Sequence, residues 1–86
     1  MIGIRQEGTT PSGRSAEADI LLQLGVMYAM GRDCEPDMVA AHKWLNIAAI
    51  RGSMRAEKLR GKLAARMSKA EIARALRQAR EWMTVH

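Results

Sequence analysis

Phenylalanine is missing altogether, and one tyrosine and two tryptophans are the only aromatic residues among 86. That poverty argues against a core of aromatic-rich strands, while plentiful alanine and methionine suit helices packed at close range. A single cysteine, Cys34, excludes an internal disulfide and any zinc cluster built on several thiolates, and fits a reducing compartment. No apolar run approaches the roughly 18 residues of a membrane span, and the opening stretch MIGIRQEGTTPSGRSAEAD lacks a run of signal-peptide length. The chain therefore reads as soluble and cytoplasmic, with no membrane partner. One domain of this size buries only about 60% of the surface its unfolded form exposes, so a partner surface would add to its stability.

Acidic residues are scarce in one half and basic residues in the other. Residues 1–50 hold four Arg/Lys and six Asp/Glu, residues 51–86 ten and three, so the net charge of +5 divides into −2 and +7. Such an asymmetry fits either ordinary solvated helix faces or attraction to an acidic partner, including a second copy.

Residues 1–15 mix Gly, Thr, Pro, Ser and charges without periodicity, and are read as a flexible tail. From Ala16 the apolar residues Ile20, Leu21, Leu24, Met27 and Tyr28 follow a helical rhythm, predicting a first helix over residues 16–30 that Gly31 stops. A second helix is expected from Pro36 or Asp37 to Ile50, with Ala41, Trp44, Leu45, Ala48 and Ala49 on one face and Gly52 as its end. A third, over residues 54–67, presents Ala56, Leu59, Leu63, Ala64 and Met67. Ser68 and Glu71 form a Ser-x-x-Glu capping box, so a fourth helix starts at Lys69. Its stripe is Ile72, Ala75, Leu76, Ala79 and Met83, with Trp82 beside it.

Small and large residues alternate along the first two helices. Gly25, Ala41, Ala48 and Ala49 would let two antiparallel helices approach closely, while Leu24, Tyr28, Trp44 and Leu45 fill the flanking space. The stretch from Ile20 to Ala56 carries Leu24-Gly25-x-x-Tyr28-x-x-Gly31, then Asp37, Ala41-x-x-Trp44, and Ala48-Ala49-x-x-Gly52-x-x-x-Ala56. This pattern resembles one Sel1-like repeat. It departs from that family at Asp33 and Cys34, where a second glycine and an aliphatic residue are usual, and at Ala40, where lysine is frequent. The resemblance implies tetratricopeptide-like hairpins, a surface that binds other proteins, and no catalytic residues. A shift of 36 residues puts Gly25 onto Gly61, Tyr28 onto Ala64 and Ile20 onto Ala56, a faint second copy. The expected fold class is all-α, an α-α hairpin stack of about four helices: a Sel1-like, α-solenoid hairpin over residues 16–52 and a degenerate capping hairpin over residues 53–86.

Two surfaces stand out as candidate binding sites. The run ILLQLGVMYAM is apolar on nearly every side, so Leu22, Val26, Ala29 and Met30 should meet the third helix, another subunit or a partner peptide. Arg51, Arg55, Lys58, Lys62 and Arg66 step by four, three, four and four, which places one positive ridge along the third helix. Nucleic-acid binding through that ridge ranks below protein binding, because no aromatics are interleaved and no DNA-binding motif is present. A helix-turn-helix with Lys69, Glu71 and Arg74 facing bases is disfavoured by the short turn expected at Met67-Ser68. A purely self-assembling protein, a homo-oligomer held by the first helix, is the other alternative.

Chemistry-bearing clusters are thin. Asp33, Cys34, Glu35, Asp37 and His42 lie close in sequence but not at the spacing of a metal site, and Asp37 reads better as a helix-start acid. No nucleophile, base and orienting group occur together, and Gly25, Gly31, Gly52 and Gly61 sit singly at expected helix crossings and ends, not in a phosphate loop. The chain is read as a non-enzymatic protein-interaction module with no cofactor and no metal.

Overall fold

The computed structural model describes residues 16–86, all of whose regular structure is helical. The tail expected over residues 1–15 lies outside the described residues. Helix α1 spans Ala16–Met30, with Glu17 and Asp19 in its first turn, where carboxylates complement the helix dipole. Gly31 ends it at φ 72°, a conformation open to glycine, and a side chain there would also collide with the Pro36 ring. The chain then doubles back. Arg32 N–H donates to the Met27 carbonyl and Asp37 N–H to the Tyr28 carbonyl, each at 3.0 Å.

Asp37 is the N-cap of α2, Met38–Ile50, and its carboxylate accepts from Ala40 N–H at 3.0 Å. At the other end Ser53 N–H reaches back to the Ala48 carbonyl, with Gly52 between them at φ 109°. Ser53 has a second task. Its hydroxyl, in a residue 1% exposed, accepts from Ala56 N–H and so caps α3, Met54–Ala64.

Helix α3 is three residues shorter than its apolar pattern predicts. Arg66 N–H bonds Leu63 and Met67 N–H bonds Ala64, tightening the chain into three-residue turns before Ser68 opens α4, Lys69–Val85. The expected capping box is formed: Glu71 N–H donates to the Ser68 hydroxyl at 3.1 Å, and the Glu71 carboxylate accepts from Ser68 N–H at 2.8 Å.

Helix α2 is central. It packs against α1, α3 and α4, whereas consecutive α3 and α4 touch each other only marginally or not at all. The second pair is thus two helices leaning separately on α2. Leu21 and Leu22 of α1, Ala41, Leu45, Ile47 and Ala48 of α2, Ala56 and Leu63 of α3 and Ala79 of α4 form one buried cluster. Full burial of a side chain the size of Leu45 or Ile47 is worth about 1.5–3 kcal/mol.

The α1–α2 approach is closest at Gly25. A Cβ there would lie 2.6 Å from Leu45 side-chain carbons and 3.2 Å from the Ala41 carbonyl oxygen. Leu24, Tyr28 and Ala49 are half-buried around this crossing, and Gly52 lies in the exposed turn. Among the described residues nothing lies within 4 Å of where a Cβ on Gly61, the expected echo of Gly25, would stand, so it marks no crossing among them. Trp44 is half-buried against the core cluster. Its ring meets Trp82 of α4 edge-on, with centroids 5.3 Å apart, and Trp82 in turn stacks on His86 at 4.1 Å.

Candidate protein-binding groove

The capped ends of α2 and α3 fix α3 beside the C-terminal half of α1, leaving a trough between them. Val26, Ala29 and Met30 of α1 form one wall, Leu45 of α2 lies at the base, and Leu59 and Leu63 of α3 form the other wall. Arg55, Lys62 and Arg66 stand along the α3 side, in a cavity of about 310 Å³. A second trough of about 410 Å³, lined by Asp19, Leu22, Gln23, Val26, Arg32 and Arg55, continues along α1. Val26 and Arg55 line both.

Helix periodicity explains the composition. Positions 55, 59, 62 and 63 fall on neighbouring rows of α3, with Arg66 in the turn just beyond its end, so α3 turns two leucines toward α2 while the basic side chains project past them. Leu63 is buried and Leu59 half-buried, whereas Arg55, Lys62 and Arg66 are exposed. None of these three cations is ion-paired among the described residues. The trough therefore has an apolar floor and a cationic rim.

The two candidate surfaces are brought together in part. Leu22 is buried yet borders the second trough, Val26 is half-buried in both, and Met30 is 65% exposed at the mouth of the first. Arg51 leaves the ridge: it forms an ion pair with Glu17 of α1, and its guanidinium lies 5.7 Å from the Trp82 ring centre. Lys58 is exposed but lines neither trough. Leu45, as the base beneath two other helices, and Arg32, from the loop, join the site without having been singled out for it. No local pattern marks them, because their part depends on where α3 lies relative to α1.

A polar cluster sits elsewhere on α2. His42 and Asn46, one turn apart, are both buried, and Asn46 Oδ1 accepts a 2.6 Å hydrogen bond from the Arg60 guanidinium of α3. His42 is 3% exposed and its Nδ1 has no hydrogen-bond partner among the described residues. Burial, reinforced by the nearby Arg60 charge, pushes its pKa below 6.5 and keeps the ring neutral.

Among the described residues no three His, Cys, Asp or Glu side chains gather closely enough to hold a metal ion. Of the acidic loop group, Asp37 is committed to its cap, and the Cys34 thiol lies 3.8 Å from the Met27 carbonyl oxygen. Among those residues, too, no helix is long and apolar enough to cross a membrane. The link between α3 and α4, residues 65–68, is longer than the turn expected at Met67-Ser68, so brevity no longer weighs against a helix-turn-helix. What weighs against it is packing, since α3 and α4 do not pair and the Glu71 carboxylate is spent on the cap. Comparison with protein-family models, with curated proteins and with solved structures returns no match for the chain.

Proposed function

We propose that this protein is a small Sel1-like interaction module that holds a segment of another protein in the trough between α1 and α3. In this reading α1–α2 is the one well-formed repeat of an α-solenoid fragment, and α3 and α4 close its exposed side. The module works without catalysis or cofactor, in the reducing cytoplasm that its lone Cys34 fits. Support comes from one observation above the others: the apolar surplus of α1 and the basic residues of α3, separate in sequence, border a single concave surface. Apolar floors with a few directed polar groups are the usual make-up of binding clefts. Nucleic-acid binding draws less support, because the rings best able to stack on bases are engaged: Trp44 with Trp82, and Trp82 with His86.

Site-specific crosslinking tests the proposal. A photoreactive residue replacing Met30, inside the trough, should capture a discrete protein from source-cell extract, and one replacing exposed Ala73 of α4 should not. Equal capture at both positions, or none at Met30, would refute it.

A further inference from the structure

Resting on that reading, we infer that the partner segment is an acidic amphipathic helix, with apolar side chains seated on Val26, Leu59 and Leu63 and carboxylates facing Arg55, Lys62 and Arg66. The dimensions fit a helix of limited length. At about 1.5 Å per residue, the α1 stretch from Asp19 to Met30 that borders the two troughs runs roughly 16 Å, about three turns of a docked rod. An apolar stripe at i, i+3, i+4 and i+7 is what such a length can present to a helix–helix groove.

Charge decides the flank. Three exposed cations stand on one wall with no acid paired to them among the described residues, while their leucine neighbours face inward. A segment with basic flanks would place like charges together, and a purely acidic one would leave the leucine floor wet. The chain itself offers no good occupant. The fifteen residues ahead of α1 carry Arg5 and Arg14 against Glu7, the wrong sign for this rim. The acidic stretch of a second copy, residues 33–37, has Asp37 committed to capping and only Pro36 as an exposed apolar side chain.

Synthetic helices provide the test. Three fluorescein-labelled peptides, helix-stabilised and about 15 residues long, are compared by anisotropy against the full chain: Leu-striped with Glu flanks, Leu-striped with Lys flanks, and Glu-flanked with Ser in the stripe. The first should bind saturably and roughly tenfold or more tighter than the other two, the Lys-flanked peptide lacking a few rim ion pairs of modest strength and the Ser-striped one lacking apolar burial. A triple charge reversal, Arg55→Glu with Lys62→Glu and Arg66→Glu, should swap the preference to the Lys-flanked peptide. Its fold is checked by circular dichroism. Because all three positions are exposed, Met30→Glu serves as a second variant and should weaken every Leu-striped peptide.

Equal binding of the first two peptides, or undiminished binding of the Ser-striped one, overturns the inference. So does binding to phosphatidylglycerol vesicles or duplex DNA when no peptide binds. Should Met30 crosslink a protein while the peptides fail to discriminate, the trough remains a docking surface and only the chemistry assigned to its partner falls. Should Met30 capture nothing, the functional proposal falls by its own test.

Discussion

Replacing Gly25 and Gly61 separately with alanine separates intrinsic helix preference from the geometry of a crossing. Both glycines lie inside helices, so each substitution alone should gain about 0.5–1 kcal/mol from lost chain entropy in the unfolded state. At Gly61 no described residue opposes that gain, because a new Cβ meets none of their atoms within 4 Å. At Gly25 the Cβ would come within 2.6 Å of Leu45, a side chain 2% exposed and unable to swing into water, and 3.2 Å from the Ala41 carbonyl. Overpacking of this kind costs about 1–3 kcal/mol, leaving Gly25→Ala unfavourable by roughly 0–2.5 kcal/mol. In a domain this small 1 kcal/mol moves the thermal midpoint by about 4–8 °C, so the two variants should melt on opposite sides of the native chain. The decisive measurement is the double-mutant cycle with Leu45→Ala. That substitution alone should cost about 2–5 kcal/mol, and in its background Gly25→Ala should become neutral or stabilising as the obstacle disappears. A Gly25→Ala chain as stabilised as Gly61→Ala, or a cycle without coupling, would refute the close approach of α1 and α2.

Three further substitutions probe other joints of the fold. His42 should make stability pH-dependent: its folded pKa lies below the unfolded 6.5, so the unfolded chain binds the proton more readily. Stability is then full above pH 6.5 and falls on acidification from there toward the lowered pKa, by at most about 1.4 kcal/mol per pH unit. Denaturant titrations of the native chain and His42→Gln between pH 7.5 and 5 check this, and identical slopes would contradict it. Ser53→Ala removes a cap whose hydroxyl is buried and should cost about 1–2 kcal/mol, more than Ser68→Ala at the exposed start of α4. Urea midpoints order the two, and a larger loss from Ser68→Ala would count against the role given to Ser53.

Much of the local structure was legible because its signals are chemical and near in sequence. Asp37 and Ser68 occupy N-caps, Gly31 and Gly52 adopt positive φ where helices end, and Glu71 closes its capping box, whereas the Ser53 cap was not singled out. The seam at Gly25 and Ala41 was readable from residue volume. The end of α3 was not, since Ala65 and Arg66 are good helix formers and only the tightened hydrogen bonding toward Ser68 stops the helix. Periodicity measures how wide an apolar stripe is but does not name the neighbour that covers it. For that reason nothing in the periodicity paired Trp44 with Trp82, and Gly61 matches Gly25 in sequence without sharing its surroundings. The groove shows the same division: Val26, Met30, Arg55, Lys62 and Arg66 were marked by type and spacing, whereas Leu45 and Arg32 required the tertiary arrangement.

With α2 as the shared support, substitutions in this chain should propagate along spokes and not around a rim. The outer helices meet α2 far more than they meet one another, so most of what a change in α1 transmits to α4 passes through α2. A residue of that hub such as Ala48, wholly enclosed, answers to its surroundings with no room for added bulk. Diversification of such a molecule would leave its middle helix nearly constant while the periphery acquires new binding preferences.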